Sequence, residues 1–158
     1  MFRAVRKKKN EISIEAAKDL LRSSRRGVLA VNGDEGYPYA IPINYLYDEE
    51  KNRIIFHGAK AGHKVDALKK NDKICFTVYG NEMIKEEQWA PYLQSVVLFG
   101  RCHLVENLDD ALHMLKRFAR KYYPNEELVN GEIALSGNGV QMFVIEIEHM
   151  SSKVVQER

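Results

Sequence analysis

The sequence lacks most of the features that define specialised classes of protein. Only two cysteines, Cys75 and Cys102, occur in 158 residues, and no CxxC or HExxH spacing is present. We therefore expect reduced core cysteines in a cytoplasmic protein, with no support for a structural metal. No uncharged window approaches the ~20 residues of a membrane helix. No apolar segment follows the basic start, so neither a membrane span nor a secretory signal is expected.

The charge of the chain is also unspecific. The formal net charge is only +2, so overall electrostatics indicate no nucleic-acid partner. We interpret residues 1–10 as a flexible basic arm, and contact of this arm with an acidic surface is the alternative. Its cations are Arg3, Arg6, Lys7, Lys8 and Lys9. With 45% hydrophobic and 29% charged residues, the composition is typical of a single globular domain, here residues 1–158.

Apolar patterning predicts six strands and up to three helices. The predicted strands are Gly27–Gly33, Tyr37–Asp48, Arg53–Gly58, Lys73–Tyr79, Leu93–Val105 and Val140–His149. The predicted helices are Ile12–Ser24, Gly62–Asn71 and Leu108–Tyr123. Helices interrupt the strands too rarely for a doubly wound parallel sheet, so we predict a mainly β fold, an antiparallel barrel with peripheral helices. Pro38 and Pro42 indicate an edge strand or a bulge, and Gly100 a bulge or bend.

The stretch FHGAKAGHKVDAL, residues 56–68, joins a strand to a helix through a glycine-containing loop. Free backbone N–H groups and the positive end of the helix dipole meet there, and small residues such as Gly58, Ala59 and Gly62 let a ligand approach the backbone. Lys64 in the first helical turn opposes the dipole unless an anion is bound, and His63 adds a second donor. These residues fit a phosphate site and an ordinary helix start with two solvated cations about equally well.

The weaker candidates are polar or aromatic residues whose positions also suit ordinary packing. They are Asn44, Tyr45, His57, Trp89, Gln94 and Ser95. Their polar groups can hydrogen-bond the edge of a planar ring, and Trp89 can form part of an aromatic wall. No Ser-His-Asp order or pair of catalytic carboxylates is visible, which favours a cofactor as the source of any chemistry.

Three segments in sequence resemble a known family when they are taken together. They are GVLAVNGDEGYPYAIPINYLYD, IIFHGAKAGHKVDALKKNDKICFTV and W…YLQSVVLFGRCHLVEN. The patterns P-x-N-Y/F, F-H-x-A-x-x-G-x-K-x-x-x-L and x-N-x-x-V/I-C-F match at Pro42–Tyr45, Phe56–Leu68 and Asn71–Phe76. From about Val5 to Lys153 the chain resembles the flavin-binding split-barrel superfamily, the pyridoxamine 5′-phosphate oxidase-like group, and within it the nitroimidazole-resistance (Nim) branch.

This resemblance implies a six-stranded antiparallel split barrel that forms a homodimer with flavin mononucleotide (FMN) in two clefts at the interface. By position, His63 and Lys64 would hold the FMN phosphate, and the strand Ile41–Tyr45 would run along the isoalloxazine ring. Trp89 and Lys153 would line the cleft from the partner chain. The full set of implied cofactor-binding residues is Pro42, Ile43, Asn44, Tyr45, His57, Gly58, Ala59, Gly62, His63, Lys64, Gln94, Ser95, Trp89 and Lys153.

The resemblance also implies an FMN-dependent oxidoreductase that acts on small molecules. Reduced nicotinamide would be the electron donor, a nitro or quinone-like compound the acceptor, and His57 the proton donor. A flavin or haem binder without enzymatic activity, and a dimerisation module without a cofactor, are the alternatives. The chain has no tryptophan after Trp89 and ends MSSKVVQER, so pyridoxamine phosphate oxidation itself is not expected. His63 also stands where many members carry arginine or serine. The sequence identifies neither the substrate nor the donor.

Overall fold

The computed structural model describes residues 1–85, 87 and 90–156 of the chain. The strands are β1 Arg26–Asn32, β2 Pro38–Asn44, β3 Leu46–Asp48, β4 Arg53–Ala59, β5 Lys73–Lys85, β6 Ala90–Leu104 and β7 Val140–Gln156. The helices are α1 Ile14–Ser23, α2 His63–Lys70, α3 Leu108–Tyr122 and α4 Glu126–Ser136. Within the described residues, no helix is long and apolar enough to cross a membrane.

The strands form one seven-stranded antiparallel sheet in the order β2-β1-β5-β6-β7-β4-β3. The two outermost strands, β2 and β3, are separated in the chain by a single residue, Tyr45. The sheet therefore has to curl until its two edges approach each other at Tyr45, which gives a split barrel. The mainly β fold is confirmed, and Pro38 and Pro42 do lie in an edge strand, where a missing N–H donor is tolerated.

The corner at Tyr45 corrects the predicted strand Tyr37–Asp48, which is two strands rather than one. The Tyr45 backbone N–H donates to the Tyr122 hydroxyl over 2.8 Å, and its carbonyl accepts from Lys121 Nζ over 3.0 Å. The buried Tyr45 hydroxyl donates to the carbonyl of Leu21 over 2.7 Å. Residues of helix α3 therefore replace the sheet hydrogen bonds that are lost where the chain passes from one edge of the sheet to the other. The sheet has seven strands instead of the predicted six.

Lys121 should give this corner a measurable pH dependence. Burial, with a smaller contribution from the charge of Arg25, lowers the pKa of Lys121 from 10.5 to about 8. Between these values the unfolded chain binds more protons than the folded chain, so the stability of the native protein should rise with pH. Relative to Lys121→Met, we expect a gain of about 1 kcal/mol between about pH 7.5 and pH 9.5, after allowing for solvent screening. Urea unfolding of both proteins measures this difference, and a flat or falling difference would contradict it.

Alternation along the strands places one face of the sheet inside the barrel. The rings of Phe56 and Phe143 stack there with centroids 4.8 Å apart, and both are fully buried. Helices α1 and α2 add their apolar faces to this core, through Ala17, Leu20, Leu21, Val65, Ala67 and Leu68. Each large side chain buried in this way stabilises the fold by about 1.5–3 kcal/mol. A smaller cluster on the other side of β4 and β7 packs against α3, with Ile55, Met114, Met142 and Val144 at its centre.

The structure confirms one further prediction from the sequence and corrects the extent of several elements. The shift in β6–β7 pairing between Phe99 and Gly100 confirms the bulge expected there. Helix α4 was not predicted from the sequence. Gly131 weakens its helical pattern, and Val129 is its only buried residue among those described. Strands β5 and β6 extend as a paired ribbon beyond the predicted ends at Tyr79 and Leu93, and β7 runs to Gln156 rather than ending at His149.

The basic arm lies beside β7 and the outer face of the sheet. The ring of Phe2 stacks on His149 at 4.9 Å and on Phe99 at 5.5 Å between centroids. Glu11 pairs with Lys153 in an isolated antiparallel bridge. The five cations of the arm are exposed to solvent. Phe2 of the arm thus contacts the sheet, whereas the cations of the arm face solvent.

Candidate functional site

The predicted loop brings free backbone donors to one end of the barrel. Gly62 precedes α2 with φ of +134°, a left-handed conformation that side chains rarely adopt. A Cβ built on Gly62 meets nothing within 4 Å, so the space in front of the helix is open. The first N–H groups of α2 have no partners within the helix, and its dipole is positive at this end. Free N–H groups, a positive dipole end and open space are the features of an anion-binding helix start.

Lys64 supplies a charge that no carboxylate balances within the part of the chain that the structure describes. Its ammonium lies 5.5 Å from the ring centroid of Phe56 and 5.0 Å from that of Phe143. Burial lowers the pKa of Lys64, and no salt bridge to it is found among the described residues. A Cβ on Gly58 would lie 2.7 Å from Lys64 Nζ, so glycine leaves the room that the ammonium occupies. A half-buried cation without a counter-ion costs free energy unless an anion binds to it.

His63 occupies the other side of the helix start. Its ring stacks on Tyr39 with centroids 4.2 Å apart, and its Nε2 lies 3.7 Å from Asp34 Oδ2. The side chain is 39% exposed and stands beside Gly33 in the β1–β2 turn. The His63 side chain therefore lies over the hairpin turn, and the Lys64 ammonium lies over the core rings.

The outward face of β2 borders a cavity near the end of the strand that is farther from this helix start. Pro42 and Asn44 are on the outward face, whereas Ile43 and Tyr45 are buried in the core. Pro42 lines a cavity of about 420 Å³, which is within the range of small-molecule sites. Tyr39, which contacts His63, precedes Pro42 by three residues, or about 10 Å of strand, and packs against the core on the opposite face of β2 from Pro42.

The register of β5, β6 and β7 places Gln94 and Ser95, which were both expected to contact the cofactor, on opposite faces of the sheet. Ser95 pairs with Tyr79 and with Lys153, so these residues share the outward face of the sheet. Tyr79 also lines the 420 Å³ cavity. Gln94 alternates to the other face, and its side chain accepts a hydrogen bond from Asn81 over 2.7 Å. Ser95 and Lys153 therefore lie on the same face of the sheet as Tyr79, and Gln94 lies on the opposite face.

His57 is not brought together with His63 and Lys64. It alternates with Phe56 and Gly58 on β4, so its ring is on the opposite side of the strand, 4.8 Å edge-on to Phe118. There it lines a separate cavity of about 100 Å³ under α3 and α4, together with Glu132. Burial, and next the charge of Lys64, lower the pKa of His57. Ala59 ends β4 and is exposed. Trp89 lies outside the described residues.

Sequence reasoning missed the residues that border the larger cavity. Arg25, Arg26 and Thr77 line it, and Gly27 lies at its base. The paired arginines before an apolar strand were a visible signal. Their relevance depends on the pairing of Val28 with both Pro42 and Thr77, which brings β1, β2 and β5 together. This register involves residues far apart in the chain, and single-sequence patterns do not contain it.

The topology and this site define a class of protein: a split barrel with a candidate anion site at the start of a short helix and a cavity on its outer face. The family model described as "Pyridoxamine 5'-phosphate oxidase" matches residues 13–154. The chain therefore belongs to the pyridoxamine 5′-phosphate oxidase family. No curated protein matches it.

Solved structures share this fold at low sequence identity. A Bacteroides thetaiotaomicron protein described as a candidate 5-nitroimidazole antibiotic resistance protein is 17% identical, with a TM-score of 0.77 over 91% of this chain and 85% of that one. A conserved Mycobacterium tuberculosis protein is 17% identical, with a TM-score of 0.78 over 96% and 89%. A FAD- and haem-binding protein of Mycobacterium smegmatis is 19% identical, with a TM-score of 0.72 over 95% and 74%. At these identities the likeness shows the fold alone.

Proposed function

We propose that this protein binds FMN and is an oxidoreductase of small molecules. The observation that carries the proposal is the half-buried ammonium of Lys64, which has no carboxylate partner among the described residues and stands beside the start of α2. A phosphate monoester supplies the missing negative charge and accepts hydrogen bonds from the helix N–H groups. The ring of Tyr39 holds the neighbouring His63 in place as a second donor.

The residues along β1, β2 and β6 also suit the rest of the FMN molecule. The outward residues of β1 and β2 are small or flat, including Val28, Ala40 and Pro42, and they provide a surface for a planar ring. Ser95 and Asn44 are hydroxyl and amide groups able to hydrogen-bond the polar edge of the ring. Bound FMN would accept electrons from a donor such as reduced nicotinamide and pass them to a nitro or quinone-like acceptor.

The chain's own contribution would be binding and orientation. Lys64 and the α2 amides fix the phosphate end, and the β2 strand fixes the direction in which the ring extends. The apolar lining contributed by Val28, Pro42 and Val78 excludes water from the inner side of the ring. We leave His57 out of the proposed chemistry, because its ring faces the cavity beneath α3.

We also propose that two copies of the chain form a homodimer through the outward face of the sheet. That face exposes large apolar side chains, with Tyr79 59% and Phe99 36% exposed. Apolar residues exposed on one surface favour association. The cavity beside β2 opens on this face, so a second copy would cover the ring and contribute residues to the cleft. Sedimentation of the FMN-loaded protein should give twice the mass of the chain.

Spectroscopy tests the proposed activity directly. Purified protein titrated with FMN should show a perturbed flavin absorption band at one FMN per chain. The band should bleach with NADH or NADPH under anaerobic conditions and return when a nitroaromatic or quinone acceptor is added. A protein that leaves the FMN spectrum unchanged would overturn the proposal. A Soret band after haem addition would instead favour a haem-binding protein.

A further inference from the structure

A second cavity, beneath α3 and α4, has no part in the proposed binding of FMN. Residues of β4, α3, α4 and the first residue of β7 line this α3–α4 cavity, whose volume is about 100 Å³. Apolar cavities of about this size stay dry in proteins and bind small organic groups such as a single ring. The α3–α4 cavity therefore suits the apolar part of a small molecule. Its apolar wall is formed by Leu115, Phe118, Ala119, Ile133 and Val140.

A carboxylate lies at the solvent side of this cavity. Glu132 of α4 lines the cavity and is exposed to solvent. Ser136, one turn further along the helix, also lines it, and its hydroxyl donates to Glu132 Oε1 over 2.6 Å. This hydrogen bond orients the carboxylate. The second oxygen, Oε2, receives no hydrogen bond from any residue that the structure describes, so it can accept one from a ligand.

The charge of Glu132 has no counter-ion. Within residues 1–85, 87 and 90–156, Glu132 forms no salt bridge, and no lysine or arginine lines the cavity. The one basic group in the lining is the imidazole of His57. Burial and next the charge of Lys64 lower the pKa of His57, and the opposing effect of Glu132 is smaller. The imidazole is therefore neutral at pH 7, where a ring nitrogen can serve as a further acceptor.

The aromatic residues of the cavity also favour a positively charged ligand. The rings of Phe118 and Tyr123 line it, and Tyr123 is 37% exposed. The faces of aromatic rings attract ammonium groups, because the ring quadrupole is negative there. An anion would meet the carboxylate of Glu132 and these ring faces, which both repel it. The lining thus complements a molecule with an apolar body and a positive head.

We infer that the α3–α4 cavity binds a small organic cation, a primary ammonium attached to a short alkyl chain or a single ring, with Glu132 as its counter-ion. The ammonium donates to Glu132 Oε2, with His57 as a second acceptor, and the apolar body lies against the wall formed by α3. Hydrogen bonds between an ammonium and a carboxylate are charge-assisted and stronger than neutral ones. This site goes beyond the proposed function, since neither FMN nor an electron acceptor is placed there.

Ligands of equal size and different charge test the assignment. We would titrate n-butylamine, 1-butanol and butyrate at pH 7 into isotopically labelled protein, with and without FMN. The ring signals of His57 and the amide signals of α4, followed by NMR, report on binding at this cavity. Butylammonium should bind about tenfold more tightly than butanol, the size expected for one charge-assisted hydrogen bond. Butyrate should bind more weakly than butanol.

Glu132→Gln should remove the preference for butylammonium and leave the binding of butanol unchanged. Glu127→Gln is the matched control, because Glu127 is an exposed carboxylate of the same helix that does not line the cavity. The control loses the same charge and should keep the preference. Equal binding of the three ligands, a preference that survives in Glu132→Gln, or unchanged signals of His57 and α4 would overturn the inference.

The length of the alkyl chain tests the apolar part of the site. From ethylamine to butylamine, each added CH₂ group should tighten binding about fourfold. Chains up to octylamine should gain no more once the volume of about 100 Å³ is filled. Affinity that kept rising to octylamine would place the chain on an open surface, which contradicts binding in the cavity.

The amine series is independent of the proposed function. It should give the same affinities with and without FMN, because the cavity is on the opposite side of β4 from Lys64. A protein that bound no FMN but preferred butylammonium through Glu132 would refute the cofactor proposal and support the cation site. A protein that bound FMN but showed no preference among the three ligands would do the reverse.

Discussion

Replacing Lys64 with methionine should weaken FMN binding by about tenfold to a hundredfold and leave riboflavin binding unchanged. A hydrogen bond to a charged group contributes about 1.5–3 kcal/mol, and each 1.4 kcal/mol corresponds to about a factor of ten in affinity. Riboflavin has the same ring and side chain without the phosphate. The ratio of the two dissociation constants, measured by quenching of flavin fluorescence, therefore reports on the phosphate contact alone.

Methionine is the informative substitution because it preserves the packing of the side chain. The stem of Lys64 leads to an ammonium that lies over the rings of Phe56 and Phe143, and a thioether can occupy the same path. Lys69→Met is the matched control, since Lys69 is an exposed residue in the last turn of the same helix. Unchanged FMN affinity in Lys64→Met, or an equal loss for riboflavin, would refute the phosphate assignment.

The same substitution bears on why a cation is present at this position. Burial lowers the pKa of Lys64, which means that the environment disfavours its charged form in the absence of a ligand. Removal of that charge should leave the stability of the ligand-free chain unchanged or raise it. A residue that does not stabilise the free protein but is needed for ligand binding is what a binding site requires.

Much of the fold could be predicted because its signals are local. The alternation of β1 and β5, the apolar run of β4 and the prolines of β2 are visible within each segment. The caps are too: Ser13 accepts from Ala16 N and Asn107 accepts from Asp110 N. The break at Tyr45 could not be found in this way. Its backbone is satisfied by Tyr122, a residue 77 positions away, and nothing in YPYAIPINYLYD shows where the strand changes edges.

The candidate site also has one part that could be predicted from local sequence and one part that could not. One stretch of thirteen residues contains Gly58, Gly62 and Lys64 of the candidate anion site, so its anion-binding potential was visible from the sequence alone. The arginine pair was equally visible but could not be interpreted. Its cavity exists only because β1 pairs with β2 on one side and with β5 on the other. Residues that act from neighbouring strands need the register, and the register is set by packing of the whole sheet.

Gly100→Ala should destabilise the fold by about 3 kcal/mol, at the upper end of the usual cost of overpacking a core. A Cβ on Gly100 would lie 2.1 Å from the carbonyl oxygen of Glu146. That oxygen belongs to the backbone of β7, which pairs with β4 through Arg53 and with β6 through Arg101 at this level. The contact cannot be relieved by a rotamer change, because a strand bonded on both sides would have to shift.

The comparison with another glycine separates this contact from the general effect of adding a methyl group. Gly139 follows α4, and a Cβ built on it meets nothing within 4 Å. Gly139→Ala should therefore change the free energy of unfolding in urea by less than about 0.5 kcal/mol. A loss below about 1 kcal/mol for Gly100→Ala would show that β6 and β7 can separate at this point. The bulge would then be a tolerant irregularity of the barrel, and glycine at position 100 would not be required by the close approach of the two strands.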